Sequence, residues 1–195
     1  MHDLVPLEYG QYYHIYNRGN SGENIFVEER NYPYFLGLYA KYIEPIADTF
    51  AYALLRNHFH LLVRIKDLAG LGNLPGLNPR QQFSNFFNSY AKSINKASGR
   101  TGSLFQKRFG RIPVTSDGYF TALVRYIHFN PQKHGFVADF REYPYSSYQA
   151  MLSDRATRLK REVVLEWFGD RAAFVEFHED LPGLPDLAGL IGDDD

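Results

Sequence analysis

Apolar positions recur along this chain with two distinct periods, and their succession predicts an order of elements. Residues 11–17 (QYYHIYN) are aromatic and β-prone and run into Arg18-Gly19-Asn20, which predicts a strand leaving through a turn. Across residues 28–43, Tyr34, Phe35, Leu38, Tyr39, Tyr42 and Ile43 return near helical spacing, and Pro45 closes the run. Residues 49–55 (TFAYALL) and 58–65 (HFHLLVRI) are two apolar, β-prone runs with only Arg56-Asn57 between them, the mark of a tight antiparallel hairpin of central strands. A Gly/Leu/Pro loop over 68–79 leads into 80–97, where Phe83, Phe86, Phe87, Tyr90, Ala91 and Ile94 predict a second helix. After a Gly- and Ser-rich turn at 98–103, residues 104–115 read as a strand pair or an irregular extended stretch. Ser116 is a suitable N-cap for a helix running to about Asn130, where Pro131 should stop it. The order strand, helix, strand, strand, helix, strand, helix predicts an α+β fold: a ferredoxin-like antiparallel sheet with helices packed mainly on one face.

Composition narrows the class. With 195 residues, 45% hydrophobic and 16% aromatic, the chain is too apolar to be disordered and long enough for one domain with an appendage. The expected division is a domain over 1–150 and an acidic, helical or irregular extension over 151–195, its last stretch from Leu181 partly disordered. Cysteine is absent, which excludes disulfides, thiolate metal sites and a cysteine nucleophile, so any metal must sit on imidazole, carboxylate or amide ligands. Neither a signal-peptide pattern nor an apolar run of membrane-spanning length is visible, which predicts a soluble, cytoplasmic protein.

The net charge of −1 conceals segregation. Residues 68–116 contain no Asp or Glu but carry Arg80, Lys92, Lys96, Arg100, Lys107, Arg108 and Arg111, interleaved with six aromatics including Phe83, Phe87 and Phe105. Such a stretch suits phosphate and base contacts better than an ordinary solvated face does. The acids concentrate elsewhere, notably from Glu162 onward, where a solvated helical cap is expected.

Two features carry chemistry. In His58-Phe59-His60 the strand period aims both imidazoles at one face and Phe59 at the other. Taken alone the pair is weak, because most histidines are structural or superficial. On the helix ending near Asn130, Tyr126 and Asn130 are four residues apart and share a face. If that face covers the sheet beside His58 and His60, the Asn130 carboxamide completes a metal site with the Tyr126 hydroxyl one turn away. A phenol with an ordinary pKa near 10 needs a cation beside it to attack a phosphate at neutral pH, and a metal supplies one. Tyr119 competes for the role, but Leu123 stands where its metal ligand would have to be; His128 points to another face and reads as packing or surface.

Four segments in order resemble the REP-associated tyrosine transposases, a branch of the single-tyrosine HUH (His, hydrophobic, His) transposases: YHIYNRG at 13–19, NHFHLLV at 57–63, GSLFQKRF at 102–109 and RYIHFNP at 125–131. YPYSSY at 143–148 extends the likeness to about residue 150. The resemblance implies His58 and His60 as metal ligands with Asn130 as the third, Tyr126 as nucleophile, and Mg²⁺ or Mn²⁺ as cofactor. It further implies single-strand DNA nicking and strand transfer through a 5′-phosphotyrosine, beside hairpins formed by repetitive extragenic palindromes. Near the DNA face it places Gln106, Lys107, Arg108 and Arg111, with Arg18 and Lys92 as further contacts. Gln132-Lys133-His134 depart from the family's usual residues after Asn-Pro. The rival readings are a hairpin-binding protein that has lost catalysis, and a replication initiator or relaxase sharing the His pair. The REP-associated branch favours a monomer over the dimers of the larger family.

Overall fold

The computed structural model describes residues 5–67, 69, 77–106 and 108–179. Strands β1 (Tyr12–Arg18), β2 (Ala47–Leu54), β3 (His58–Ile65) and β4 (Gly110–Val114) form one antiparallel sheet in the order β2-β3-β1-β4. Helices α1 (Asn31–Tyr42) and α2 (Pro79–Ala97) are the two crossovers, so the expected ferredoxin-like arrangement is the one that forms. Most of the 68–79 loop, Lys107 and the final residues from 180 lie outside the described residues.

The two faces of the sheet follow directly from strand alternation. Tyr13, Ile15, Phe59, Leu61, Val63 and Ile65 point to the face covered by α1 and α2, where Phe35, Tyr39, Phe83, Phe86, Phe87 and Tyr90 complete an aromatic core. Helices were expected mainly on that one face, but they cover both. Phe50, Ala51, Ala53, Leu62 and Val114 meet α3 (Asp117–Lys133) together with α4 (Tyr148–Leu152), α5 (Arg161–Phe168) and α6 (Arg171–Glu179). A helix after β4 lying over His58 and His60 was part of the expectation; the further helices α4–α6 on the same side were not, because the face carrying His14, His58 and His60 reads as polar.

Local chemistry sets the boundaries. α1 begins three residues later than the periodicity suggests, since the Asn31 side-chain oxygen accepts from the Val27 and Glu28 N–H groups and folds the approach into a turn. β2 and β3 close through Arg56-Asn57 as expected, with the Leu55 N–H donating to the His58 carbonyl at 2.8 Å. Ser116 caps α3 by accepting from the Tyr119 N–H. Pro131 does not stop that helix: it sits in the last turn, where the donor it lacks costs one bond, and the His134 N–H still reaches the Asn130 carbonyl. Only 110–114 of the extended 104–115 stretch pairs continuously with β1, apart from one bridge between Gly19 and Phe105.

The described part of the extension is helical, but more than a solvated cap. Val164 and Phe174 are fully buried in the second core, and Trp167 meets Tyr12 at 5.5 Å between ring centroids. Ahead of it, residues 143–147 cover the outer edge of β2: the Leu54 N–H donates to the Tyr145 carbonyl and the Tyr143 hydroxyl to the Leu54 carbonyl.

Behind α3 runs a buried polar chain. His128 and His178 lie 2.9 Å apart through Nδ1 and Nε2, His128 Nε2 meets the Ser147 hydroxyl at 2.7 Å, and His178 Nδ1 donates to the Phe174 carbonyl. Neutral rings satisfy every contact. Burial holds His178 down at about 4 against an ordinary 6.5, so a proton added below pH 6.5 goes first to the unfolded chain. Stability should therefore be full above about pH 6.5, fall by at most about 1.4 kcal/mol per pH unit for this group, and level off below about pH 4. Denaturant melts across pH 4–8 check this, with His178→Gln expected to flatten the profile; an unchanged slope in the variant would contradict it.

Candidate active site

The site forms where the polar face of β1 and β3 meets α3. His58 and His60 project from β3 toward α3, as strand alternation requires, while Phe59 packs among Phe35 and Phe87 on the far side. The two imidazoles are 5.2 Å apart between centroids and nearly perpendicular. α3 brings Tyr126 and Asn130 over them: the Tyr126 ring lies 5.5 Å from that of His60, edge to face, and Asn130 Oδ1 lies 2.9 Å from His58 Nε2. All four residues named from the sequence thus converge in one pocket, with Tyr126 3% and Asn130 0% exposed.

The hydrogen bonds show what these groups are ready to hold. His60 is buried, its Nδ1 is 2.9 Å from His14 Nε2, and its Nε2 has no hydrogen-bond partner. A buried nitrogen without a partner is costly unless a further group takes its lone pair. Burial, reinforced by His14, His58, His134 and Lys133, holds His60 well below its ordinary pKa, so it stands neutral and able to donate that pair. His58 faces Asn57 Oδ1 through Nδ1 at 2.7 Å and Asn130 Oδ1 through Nε2. A neutral ring has a proton for only one of these oxygens, so with both amide oxygens turned to the ring the other nitrogen offers its lone pair, which a cation could take. The donor set of two imidazoles and a carboxamide therefore fits a divalent metal. Among the described residues no group of three His, Cys, Asp or Glu could hold one, so a metal here would call on the amide as third protein ligand.

Around this centre lie groups that the sequence reading gave no role. His14, 0% exposed, orients His60, as an outer hydrogen-bond partner orients a metal-binding ring. Tyr16 lies against His14 with ring centroids 5.0 Å apart and the planes tilted by 31°, and its own ring occupies the space a Cβ at Gly110 would need. Exposed Lys133 holds its ammonium 5.3 Å from the Tyr126 ring centroid, and His134 stands 4.8 Å from the His58 ring. The departures after Asn-Pro thus put two basic side chains at the mouth of the pocket. Tyr119 is half-buried and is pushed up to about 12, by burial first and by Tyr16 second. Of the expected DNA contacts, Lys92, Gln106 and Arg108 are exposed, Arg18 is half-buried at the end of β1, and Arg111 is buried.

No family model matches the chain. A Haemophilus influenzae protein provisionally named as a REP-associated tyrosine transposase is 27% identical over 103 residues, covering 52% of this chain and 58% of that protein. A solved structure, described as a REP-associated tyrosine transposase bound to a REP hairpin, superposes with a TM-score of 0.59 over 79% of this chain and 86% of the other. The chain is related to the REP-associated tyrosine transposases. At 16% identity the likeness to the solved transposase is one of fold. The chain spans 58% of the length of its Haemophilus transposase relative. No helix among the described residues is long and apolar enough to cross a membrane.

Strand period and the transposase motifs led to His58, His60, Tyr126 and Asn130, but nothing local gave His14 or Tyr16 a part. Their place depends on the β1–β3 register, which sets Tyr16 opposite His60 and is a long-range fact. The available signal was alternation itself: His14 and Tyr16 share a strand face just as His58 and His60 do.

Proposed function

We propose that this chain is a metal-dependent single-strand DNA nickase and strand-transfer enzyme, acting beside hairpin-forming palindromes through a 5′-phosphotyrosine on Tyr126. What chiefly supports the reading is that residues 66 positions apart, His60 on a strand and Tyr126 on a helix, lie ring against ring in one pocket. The hairpin held by the solved relative supports the substrate class.

The Tyr126 oxygen attacks the scissile phosphorus, its bond to phosphorus forming as the bond to the 3′-oxygen breaks. The phenol gives up its proton and the departing 3′-oxygen gains one. Attack by a 3′-hydroxyl of another strand reverses the step and joins that strand to the 5′-phosphate, so no external energy is needed. Mg²⁺ or Mn²⁺, held by His58, His60 and Asn130, would polarise the phosphate oxygen and stabilise the charge that develops on it. Imidazole ligands suit Mn²⁺ somewhat better than Mg²⁺. With His14 Nε2 accepting from the His60 Nδ1–H, the His60 Nε2 lone pair would be left for the metal, and Lys133 adds positive charge beside the phenol. Arg18, Lys92, Gln106, Lys107, Arg108 and Arg111 are the side chains to hold the strand.

End-labelled single strands carrying a hairpin and flank, incubated with Mg²⁺, Mn²⁺ or chelator, test this reading. The expected products are a free 3′-hydroxyl and a protein-linked 5′ end, at least as abundant with Mn²⁺ and absent with chelator. Tyr126 is 3% exposed, so a strand must enter the pocket to reach it. Tight hairpin binding without any metal-dependent nick would replace the enzyme by a hairpin-binding protein.

A further inference from the structure

On the other face of the β1–β4 pair lies a second arrangement suited to phosphate. Arg111 stands opposite Ile15 in the ladder, and Ile15 belongs to the α1/α2 core, so the Arg111 side chain leaves the sheet away from His14, His60 and Tyr126. It is 8% exposed, and its Nε has no hydrogen-bond partner. The guanidinium rests 5.2 Å from the Phe109 ring centroid, and Phe109 in turn packs on Phe83 and Phe87 of α2. No ion pair or hydrogen bond of Arg111 is made with the described residues. The charged side chain acting on it most strongly is Arg80, which repels it. A buried cation facing a second cation is unfavourable without an anion to hold.

Both arginines line one cavity of about 560 Å³, together with Tyr9, Asn78 and Pro79. α2 begins at that cavity: Asn78 caps it by accepting from the Gln81 N–H, and the positive end of a 19-residue helix adds to the field of the arginines. Among the described residues no carboxylate lines the cavity, and the sequence from 68 to 116 contributes none. Glu8 lies near Tyr13, which also feels Arg111, but Glu8 makes no ion pair with Arg111.

We infer that the Arg80–Arg111 cavity is a binding site for a backbone phosphate of the DNA other than the scissile one. This rests on the DNA-binding half of the proposed function and deepens it. Because the cavity lies on the α1/α2 side of β4 and the His pocket on the other face of β1 and β3, one DNA molecule engaging both has to cross from one face of the sheet to the other. Phe109 fixes the Arg111 plane and leaves its N–H groups for phosphate oxygens, the geometry in which arginine surpasses lysine.

Binding of a fluorescent hairpin with a single-stranded flank, measured in chelator across a salt series, tests the inference in the wild type, Arg111→Gln and Arg80→Gln. Each variant should bind about 5- to 10-fold more weakly at 0.1 M salt, with the slope of log K against log salt shallower by about one. Inorganic phosphate should raise the melting temperature of the wild type and not of Arg111→Gln. Exposed Arg80 can be replaced without disturbing the core, so its variant keeps the test decisive if Arg111→Gln folds poorly. Unchanged slopes in both variants would overturn the inference, leaving a free-anion site if phosphate still protects and a structural guanidinium if it does not. A wild type that binds no DNA would sink both readings. Hairpin binding without nicking, with the slopes shifted as expected, would sink only the chemistry.

Discussion

Tyr126→Phe should abolish the covalent protein–DNA adduct, a loss of roughly 10³-fold or more, while hairpin affinity stays within about twofold. The substitution removes one oxygen and leaves the ring that packs against His60 and His14, so fold and pocket survive. Tyr119→Phe is the matched control. That phenol is pushed up to about 12 by burial and by Tyr16, which makes its phenolate harder to reach, and the residue one turn on is Leu123 rather than a metal ligand. Nicking by Tyr119→Phe should remain within a few-fold of the wild type. Adduct formation that survives at 126 and disappears at 119 would reverse the assignment.

His60→Ala and His14→Ala should fail in different ways. Without the His60 imidazole the site loses a ligand, and nicking should drop by roughly 10³-fold without recovery at high Mn²⁺, since Lewis-acid stabilisation accounts for several kcal/mol of barrier. His14 touches His60 Nδ1 rather than the pocket side of the ring, so its loss should weaken metal affinity by about 10- to 100-fold. Activity of His14→Ala should then return toward the wild-type level at saturating Mn²⁺. Titration of the nicking rate against Mn²⁺ distinguishes a shifted midpoint from a lowered plateau. A lowered plateau in His14→Ala with no midpoint shift would remove His14 from its orienting role.

Much of the scaffold was legible because it follows from short-range rules. The hairpin around Arg56-Asn57, the limits of β3 at His58 and Ile65, and the Ser116 cap need only alternation, turn chemistry and one side-chain oxygen. The spacing of Tyr126 and Asn130 fixed their common helix face, and the strand period fixed that of His58 and His60. What that logic could not supply was which surfaces meet. The second helical layer depends on Val164 and Phe174 in a segment whose acidity suggests solvent, because charge marks only the outward side of an amphipathic helix. His14 and Tyr16 join the pocket through strand pairing, and Arg111, expected as a DNA contact, is buried beside Phe109 on the side of the sheet that the register sets. His128, read as packing or surface, is wholly buried because α6 supplies His178 as its partner 50 residues later.

The chemistry at the His60–Tyr126 junction can be read from the adduct itself. Arg125 separates Tyr119 from Tyr126, so tryptic digestion of protein nicked on a labelled strand, followed by tandem mass spectrometry, places the nucleotide on one tyrosine or the other. The nucleotide should be found on Tyr126, joined through its 5′-phosphate, only when divalent metal was present. A modified Tyr119, or an adduct formed equally well in chelator, would contradict a phenol working beside a metal held by His58, His60 and Asn130.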